Sequence, residues 1–390
     1  MAHDRYTASV VGRSLVTVTR RAAIRRAAGL APLLLAPAAC GPGQPAPPAA
    51  GERLVLARED GLWAVPLDGS PARRLTTPEQ GGFDWDPAQS PDGKLLVFSR
   101  MPPYKPKPDQ PFTPAMLPQT SLFIAGADGR NPKRLASPPP QAYGGLLERA
   151  VWHPSGKALY ATAMLSSYEG NILTGQRTEI VRVIVADGTM APVISNAVYA
   201  EVAPDGRRLA YLRDGPDGFG LYVADLDADG TRVANERAVV PPSELPNATW
   251  PRFSPDGRWL ALSAASSDPK APRSSGLPAP SPTPGPASAA PAPGLSAGVQ
   301  GLVAAALSPL LPRTAAAHGP PMDIFVVEVD GSGLRQVTTL LEDEPVPAWS
   351  PDGQHLAVVS IGGLYIVPVA GGSVRTIDRR GGRGALVWAR

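Results

Sequence analysis

The chain has 390 residues, of which 48 are Pro, 40 are Gly and 6% are aromatic, so a framework of long helices is excluded. A hydrophobic share of 43% is enough to pack one large domain or two medium ones. The formal charge of +3 comes from the leader: residues 1–39 hold six Arg and one Asp, and the rest keeps 31 of 37 basic and 33 of 34 acidic residues, which gives no case for nucleic-acid binding.

The first predicted element is an export signal. A basic stretch, "TRRAAIRR" (Thr19 to Arg26), precedes a short apolar run, "AAGLAPLLLAPAA" (Ala27 to Ala39). That run is too short to span a bilayer as a mature helix. It ends in small residues at Cys40, the only cysteine of the chain. This arrangement resembles a bacterial lipoprotein cleavage site and implies lipidation of Cys40, although Pro37 stands where that pattern has Leu. The alternative is an ordinary signal peptide with a chance Cys. "TRRAAIR" is also similar to a twin-arginine signal, with Ala23 in place of a large apolar residue. A single Cys allows no internal disulfide, and a core of this size does not need one. Residues 40–51 read as a Pro/Gly/Ala linker between the anchor and the fold.

From there one phrase recurs: "AQSPDGKLLVFSR" (Ala88), "VWHPSGKALYATA" (Val151), "EVAPDGRRLAYLR" (Glu201), "RFSPDGRWLALSA" (Arg252) and "AWSPDGQHLAVVS" (Ala348). Pro presets the backbone, Asp or Ser follows, and Gly takes the left-handed conformation, so each phrase is a turn between two strands. The residues after each turn are expected to alternate inside and outside. A second hairpin follows in each repeat. Its first strand begins near Gly61, Ser121, Thr178, Gly220, Met322 and Gly363, and its turn is at Asp68-Gly69, Asp128-Gly129, Asp187-Gly188, Asp229-Gly230, Asp330-Gly331 or Gly371-Gly372. A fourth strand is clearest at Arg73 to Thr76, Lys133 to Ala136 and Arg335 to Thr338.

Four antiparallel strands recurring in register predict an all-β, six-bladed β-propeller over residues 52–390. We name the strands of a blade A to D, with the phrase as A–turn–B. The first blade lacks an A strand, and "GALVWAR" (Gly384 to Arg390) reads as an A strand with nothing after it. Trp388 sits where Trp349 does, so the C-terminal strand is predicted to complete the first blade. "WSPDG" with its apolar strand, then a C strand, an Asp-Gly turn and "RRLT", resembles the TolB-type propeller repeat. The resemblance implies the fold. TolB also carries an α/β domain for which the stretch between Cys40 and Arg53 is too short, so its role and partners are not carried over.

In such a meander the A–B and C–D turns share one face, and the B–C and D–A connections share the other. The A–B turns are uniform. The B–C connections are not: Met101 to Thr120, Met164 to Arg177 and an insert at 265–321 are long. Long connections on a rigid scaffold are where binding sites concentrate. The candidate binding residues are therefore Tyr104, Lys105, Lys107, Phe112, Tyr168, Glu169 and Asn171, with Tyr143, Glu342, Asp343 and Glu344 from the D–A loops. Within the insert, Ser266 to Pro293 is low-complexity, and Gly294 to Leu311 places apolar residues at helical spacing. That helix would pack on the propeller, dip into a membrane surface or grip a partner.

"DLDADGTRVANE" fits the calcium-loop spacing at Asp225, Asp227, Asp229 and Glu236, but its flanks are strands and Arg232 stands where an apolar residue belongs. It reads first as a decorated C–D turn, with a bound calcium ion as the alternative. "GLSAG" (Gly294 to Gly298) lacks the strand and helix that a nucleophile elbow needs. His3, His153, His318 and His355 show no metal-ligand or catalytic spacing. The expectation is a lipid-anchored, monomeric, extracytoplasmic scaffold that binds a protein or an envelope polymer, without enzymatic activity, cofactor or nucleic acid. The alternatives are an enzyme (hydrolase or lyase) at the channel mouth and a sensor of a small molecule or metal.

Overall fold

The computed structural model describes residues 51–104, 113–215, 218–245, 247–265 and 321–389. These residues lie in one compact unit, Ala46–Arg390. Cys40 and the signal, Lys105, Lys107, Phe112, and the insert at 266–320 with its helix and His318 lie outside them.

The Pro-Asp-Gly phrase folds as its chemistry dictates. In the turn after Gln89, the Ser90 hydroxyl donates to Asp92 at 2.6 Å and accepts the Leu95 amide at 2.9 Å, while the Asp92 carboxylate accepts the Lys94 amide at 3.1 Å. Ser254 with Asp256 and Ser350 with Asp352 repeat these contacts. The turn glycines Gly93, Gly156, Gly206, Gly257 and Gly353 all have φ between 69° and 74°, the region a side chain resists.

Twenty-four strands pair into six four-stranded antiparallel sheets. Blade 1 comprises β1 (Arg53–Arg58), β2 (Gly61–Pro66) and β3 (Arg73–Arg74), with β24 (Arg383–Ala389) as its innermost strand. Blade 2 is β4 (Phe83–Gln89), β5 (Leu95–Met101), β6 (Ser121–Gly126) and β7 (Lys133–Ala136). Blade 3 is β8 (Leu146–Trp152), β9 (Ala158–Glu169), β10 (Ile172–Ile184) and β11 (Met190–Ser195). Blade 4 is β12 (Ala197–Val202), β13 (Arg208–Gly215), β14 (Gly218–Leu226) and β15 (Val233–Val240). Blade 5 is β16 (Thr249–Phe253), β17 (Trp259–Ala265), β18 (Met322–Glu328) and β19 (Arg335–Gln336). Blade 6 is β20 (Val346–Trp349), β21 (His355–Val359), β22 (Leu364–Pro368) and β23 (Arg375–Asp378).

The innermost strands touch in the cyclic order β24, β4, β8, β12, β16, β20 and back to β24, so the ring is closed. The C-terminal strand closes it as expected. Trp388 pairs with Leu54 in the register in which Trp349 pairs with Leu356. The B strands do not alternate inside and outside: Leu96, Val97 and Phe98 of β5 are all fully buried, because every blade is covered by a neighbour on both faces. Indoles tie neighbours together. Trp152 donates to the Ala88 carbonyl at 3.0 Å and Trp349 to the Arg252 carbonyl at 2.9 Å.

Two outer strands are shorter than their sequence suggests. β3 and β19 stop after two residues because the following threonines leave the ladder. The Thr76 hydroxyl accepts the Leu62 amide at 3.0 Å, and the Thr338 hydroxyl accepts the Ile324 amide at 2.9 Å. The blade-3 connection, read from sequence as a loop, is instead a continuation of β9 and β10, paired as far as Glu169 and Ile172. Five residues beyond Met164 at about 3.3 Å each carry this arm roughly 16 Å past the blade.

Candidate functional site: the channel mouth and its surrounding loops

Several predicted residues meet on the B–C face. The Tyr143 ring in the loop before β8 lies 6.4 Å from the Tyr168 ring on the arm. Tyr143 is 36% exposed, and Ile172 at the arm tip is 71% exposed, with Glu169 and Asn171 exposed beside it. Burial pushes the Tyr168 hydroxyl above the usual tyrosine range. Tyr104 is half-buried at the last described position before residue 105.

The loop before β20 is pinned rather than free. Fully buried Asp323 accepts the Leu340 amide at 2.7 Å, the Leu341 amide at 3.2 Å, the Thr338 hydroxyl at 2.9 Å and the Gln336 amide group at 3.0 Å. Burial still raises its carboxyl above the usual range. Glu342 exchanges backbone hydrogen bonds of 3.0 and 3.1 Å with Met322, and its carboxylate accepts the Tyr365 hydroxyl at 2.7 Å. Burial and then that carboxylate push Tyr365 up to about 12. Asp343 is half-buried. Glu344 keeps a solvent-exposed side chain, and the protein packed around it raises its carboxyl above the usual range despite the attraction of Arg149.

The inner strands converge on a constellation that the sequence reading missed. In four of them the bulge residue is left-handed without being glycine: Asp86 (φ 52°), Arg149 (57°), Tyr199 (58°) and Trp250 (55°). Gly384 (67°) takes the corresponding place in β24. Each follows a residue paired with the B strand, after which the register shifts. β20 has no such bulge and pairs regularly from Val346. Its left-handed residue comes earlier, at Glu344 (47°). Left-handed non-glycine residues cost on the order of 1 kcal/mol each and mark positions where the surroundings dictate the backbone.

At this level Arg149 crosses the channel. Its guanidinium lies 3.8 Å from the Tyr199 ring centroid and 4.3 Å from that of Trp250. The two rings meet edge-on at 5.1 Å and 85°. Arg149 Nε is 3.3 Å from Glu148 Oε1 and 3.9 Å from Asp86 Oδ2. Asp86 Oδ1 accepts the Ala385 amide at 2.8 Å and joins blades 1 and 2. Among the described residues, Asp86 Oδ2 and Arg149 Nε and Nη1 have no hydrogen-bond partner. Burial raises both Asp86 and Glu148 above the usual carboxylate range, opposed by Arg149. One layer further along, Arg252 donates to Glu201 at 2.9 Å. Burial raises Glu201 too, offset by Arg252. The channel here, walled by Pro87, Ala150, Ala200, Pro251 and Ala385 with Arg149, holds only ≈20 Å³, about one water.

A signal for this layer was present. Asp86, Arg149, Tyr199 and Trp250 each stand five residues before the Pro of the repeated phrase. In the blade-6 repeat the aligned residue is Val346, so the position carries an acid, a base, two aromatics and an aliphatic in turn.

The segment with calcium-loop spacing folds as a C–D turn, and three of its four acidic side chains bond to protein groups. Asp227 accepts the amides of Thr231 and Arg232 at 2.7 and 3.2 Å and the Thr231 hydroxyl at 3.0 Å. Asp225 accepts from Asn235 at 2.8 Å. Glu236 is engaged by Arg213 at 2.5 Å and by the Tyr211 hydroxyl. Asp229 is exposed at the turn tip. Among the described residues no group of three or more His, Cys, Asp or Glu could hold a metal ion. The His153 ring contacts the Ser155 hydroxyl at 2.8 Å and the Gly206 carbonyl at 3.2 Å, bridging two A–B turns, while His355 is buried at the start of β21. Neither of these histidines belongs to the carboxylate cluster at the mouth.

No protein-family model matches the chain, and no curated protein matches it in sequence. Solved structures do match in shape. TolB from Acinetobacter baumannii aligns at 13% identity and a TM-score of 0.53, over 87% of this chain and 66% of that one, so this chain spans just under two thirds of that protein's length. A putative TolB from Agrobacterium tumefaciens aligns at 17% identity and a TM-score of 0.50, over 85% of this chain and 91% of that one. A chain of the nidogen/laminin complex aligns at 12% identity and a TM-score of 0.52, over 87% of this chain and 99% of that one. At such identities the likeness is one of architecture, and the architecture is the TolB-type six-bladed β-propeller.

Proposed function

We propose that the chain is an exported, membrane-tethered and monomeric binding scaffold that engages a protein or an envelope polymer through its B–C face. It does so without chemistry of its own. The observation that carries this reading is the inequality of the two faces. One face consists of near-identical self-satisfied turns. The other presents the β9–β10 arm, the Tyr143–Tyr168 pair and the exposed Ile172 around the channel mouth. Exposed aromatic and apolar side chains on a rigid frame are the usual anchors of recognition. The gap at the level of Arg149 holds only ≈20 Å³, which favours the face over that part of the channel. Two of the matched structures carry TolB in their names and the third is a protein–protein complex, which agrees with a protein partner. Lipidation of Cys40 would supply the tether.

The test is capture from solubilised envelope by the full chain against two variants. One replaces residues 165–176 of the arm by a two-residue turn, and the other carries Tyr143→Ala with Tyr168→Ala. Retention of the same partner by both variants at undiminished yield would sink the proposal. Loss of it with an unchanged melting temperature supports it.

A further inference from the structure

We propose that the channel mouth is a recognition cage for a cationic group, a guanidinium or ammonium presented by the partner, and that Arg149 fills this cage in the free protein. The inference rests on the reading of the B–C face as the binding surface and names the chemistry that the face selects.

Three observations carry it. First, the walls suit a cation. The Tyr199 and Trp250 rings offer their π faces to the guanidinium at 3.8 and 4.3 Å, and Glu148 and Asp86 flank it at 3.3 and 3.9 Å. Second, the cage is not saturated by its present occupant. Asp86 is 1% exposed, yet its Oδ2 accepts no hydrogen bond among the described residues, and Nε and Nη1 of Arg149 donate none. Arg149 is thus held by stacking and charge rather than by directional bonds. With 15% of its side chain still exposed, it has a way out. Third, the local charge leaves room for more positive charge. Asp86, Glu148 and Glu344 all face Arg149, Arg383 lies near Glu344 alone, and Arg252, which also attracts Asp86, is paired with Glu201. An anion drawn by the open Arg149 donors would meet those three carboxylates, so the cage selects a cation.

An incoming Arg or Lys side chain would displace the Arg149 guanidinium toward solvent and take its place between the rings and Asp86. The free protein is then self-occupied, and a partner binds by exchange of like for like. Exchange of this kind costs little desolvation, because one buried cation replaces another.

The probe is methylguanidinium chloride against matched sodium chloride, with the full chain followed by melting temperature and Trp fluorescence. Arg149→Ala should melt below wild type and recover saturably, by about 3 °C at ten times the dissociation constant. Wild type should need at least a tenfold higher concentration, because its own guanidinium competes. Arg149→Ala with Asp86→Asn should lose the response. The cage is overturned if Arg149→Ala shows no saturable response, if sodium chloride reproduces it, or if the double variant retains it. Should Arg149→Ala not fold, Arg149→Met keeps the bulk of the stem and serves in the same titration. Capture that survives arm shortening overturns the reading of the face, whereas a missing methylguanidinium response overturns the cage, so the two fail separately.

Discussion

Replacing Asp84 by Asn removes one charge from a buried ion pair that braces the channel mouth. Asp84 is two residues ahead of the Asp86 bulge, and its side chain is fully buried. It receives Nε and Nη2 of Arg100 at 2.6 and 2.7 Å, a two-pronged contact. The Arg100 guanidinium also lies 5.2 Å from the Phe98 ring and 4.9 Å from the Phe123 ring, so it is surrounded by apolar groups. Asn preserves shape and discards charge, which strands the cation. Breaking a buried pair in this way costs about 3–5 kcal/mol. The Arg100 side chain keeps 19% of its exposure, so water relieves part of the cost and the lower end applies. With an unfolding entropy of about 0.6 kcal/mol per kelvin for a ring of this size, a loss of about 3 kcal/mol lowers the melting temperature by about 5 °C. Asp84→Leu with Arg100→Met removes both charges and should stay within about 1.5 kcal/mol of wild type, since the desolvation penalty disappears with the attraction. Calorimetry on the full chain reads both variants. An Asp84→Asn melt within about 1 °C of wild type, or a double variant as unstable as the single one, would refute the account.

Three further outcomes follow from the same geometry. At the seam between blades 6 and 1, burial alone would raise Asp378, but hydrogen bonds from Arg380 and Arg58 bring it down to about 2. Its folded value lies below the unfolded one of about 3.9, so its stabilisation of roughly 2 kcal/mol is complete above about pH 4 and lost as pH falls through about 2. The difference in melting temperature between wild type and Asp378→Asn should therefore shrink on acidification, and a difference that grows contradicts it. Gly188 and Gly69 are both left-handed C–D turn residues, at φ 74° and 86°, but a Cβ on Gly188 runs into the Leu135 carbonyl while one on Gly69 meets open space. Gly69→Ala should cost about 1 kcal/mol from backbone strain, and Gly188→Ala clearly more; equal denaturant midpoint shifts would show that packing plays no part. Trp349→Phe deletes the donor to the Arg252 carbonyl between blades 5 and 6 and should cost about 1–2 kcal/mol in the same titration, against near-zero loss if water replaces the indole.

The repeated turn chemistry was legible before any coordinates. Ser-Pro-Asp-Gly dictates its own hydrogen bonds within a handful of residues, and so does the Asp-Gly of the C–D turns at Asp68, Asp128, Asp187 and Asp330, so local sequence suffices. The echo of Trp349 at Trp388 also sufficed to read ring closure, because strand register follows the apolar pattern. The B strands were misread as alternating because coverage on both faces is a property of the ring and not of the strand. The blade-3 connection was misread as a loop because "SSYEGNILTG" carries Gly and polar residues, yet pairing with its own return strand satisfies its backbone.

The channel layer lay furthest from sequence reading. Asp86, Arg149, Tyr199 and Trp250 are separated by 50 to 63 residues along the chain, and nothing local links them. Only ring closure brings each fifth residue before the turn Pro to one level, and only the bulge aims it across the channel. The sequence by itself determined the hairpins, their repetition and the strand that closes the ring, because those depend on short-range turn preferences and periodicity. The tertiary structure decided which charges share a buried space, because that depends on blades meeting around an axis.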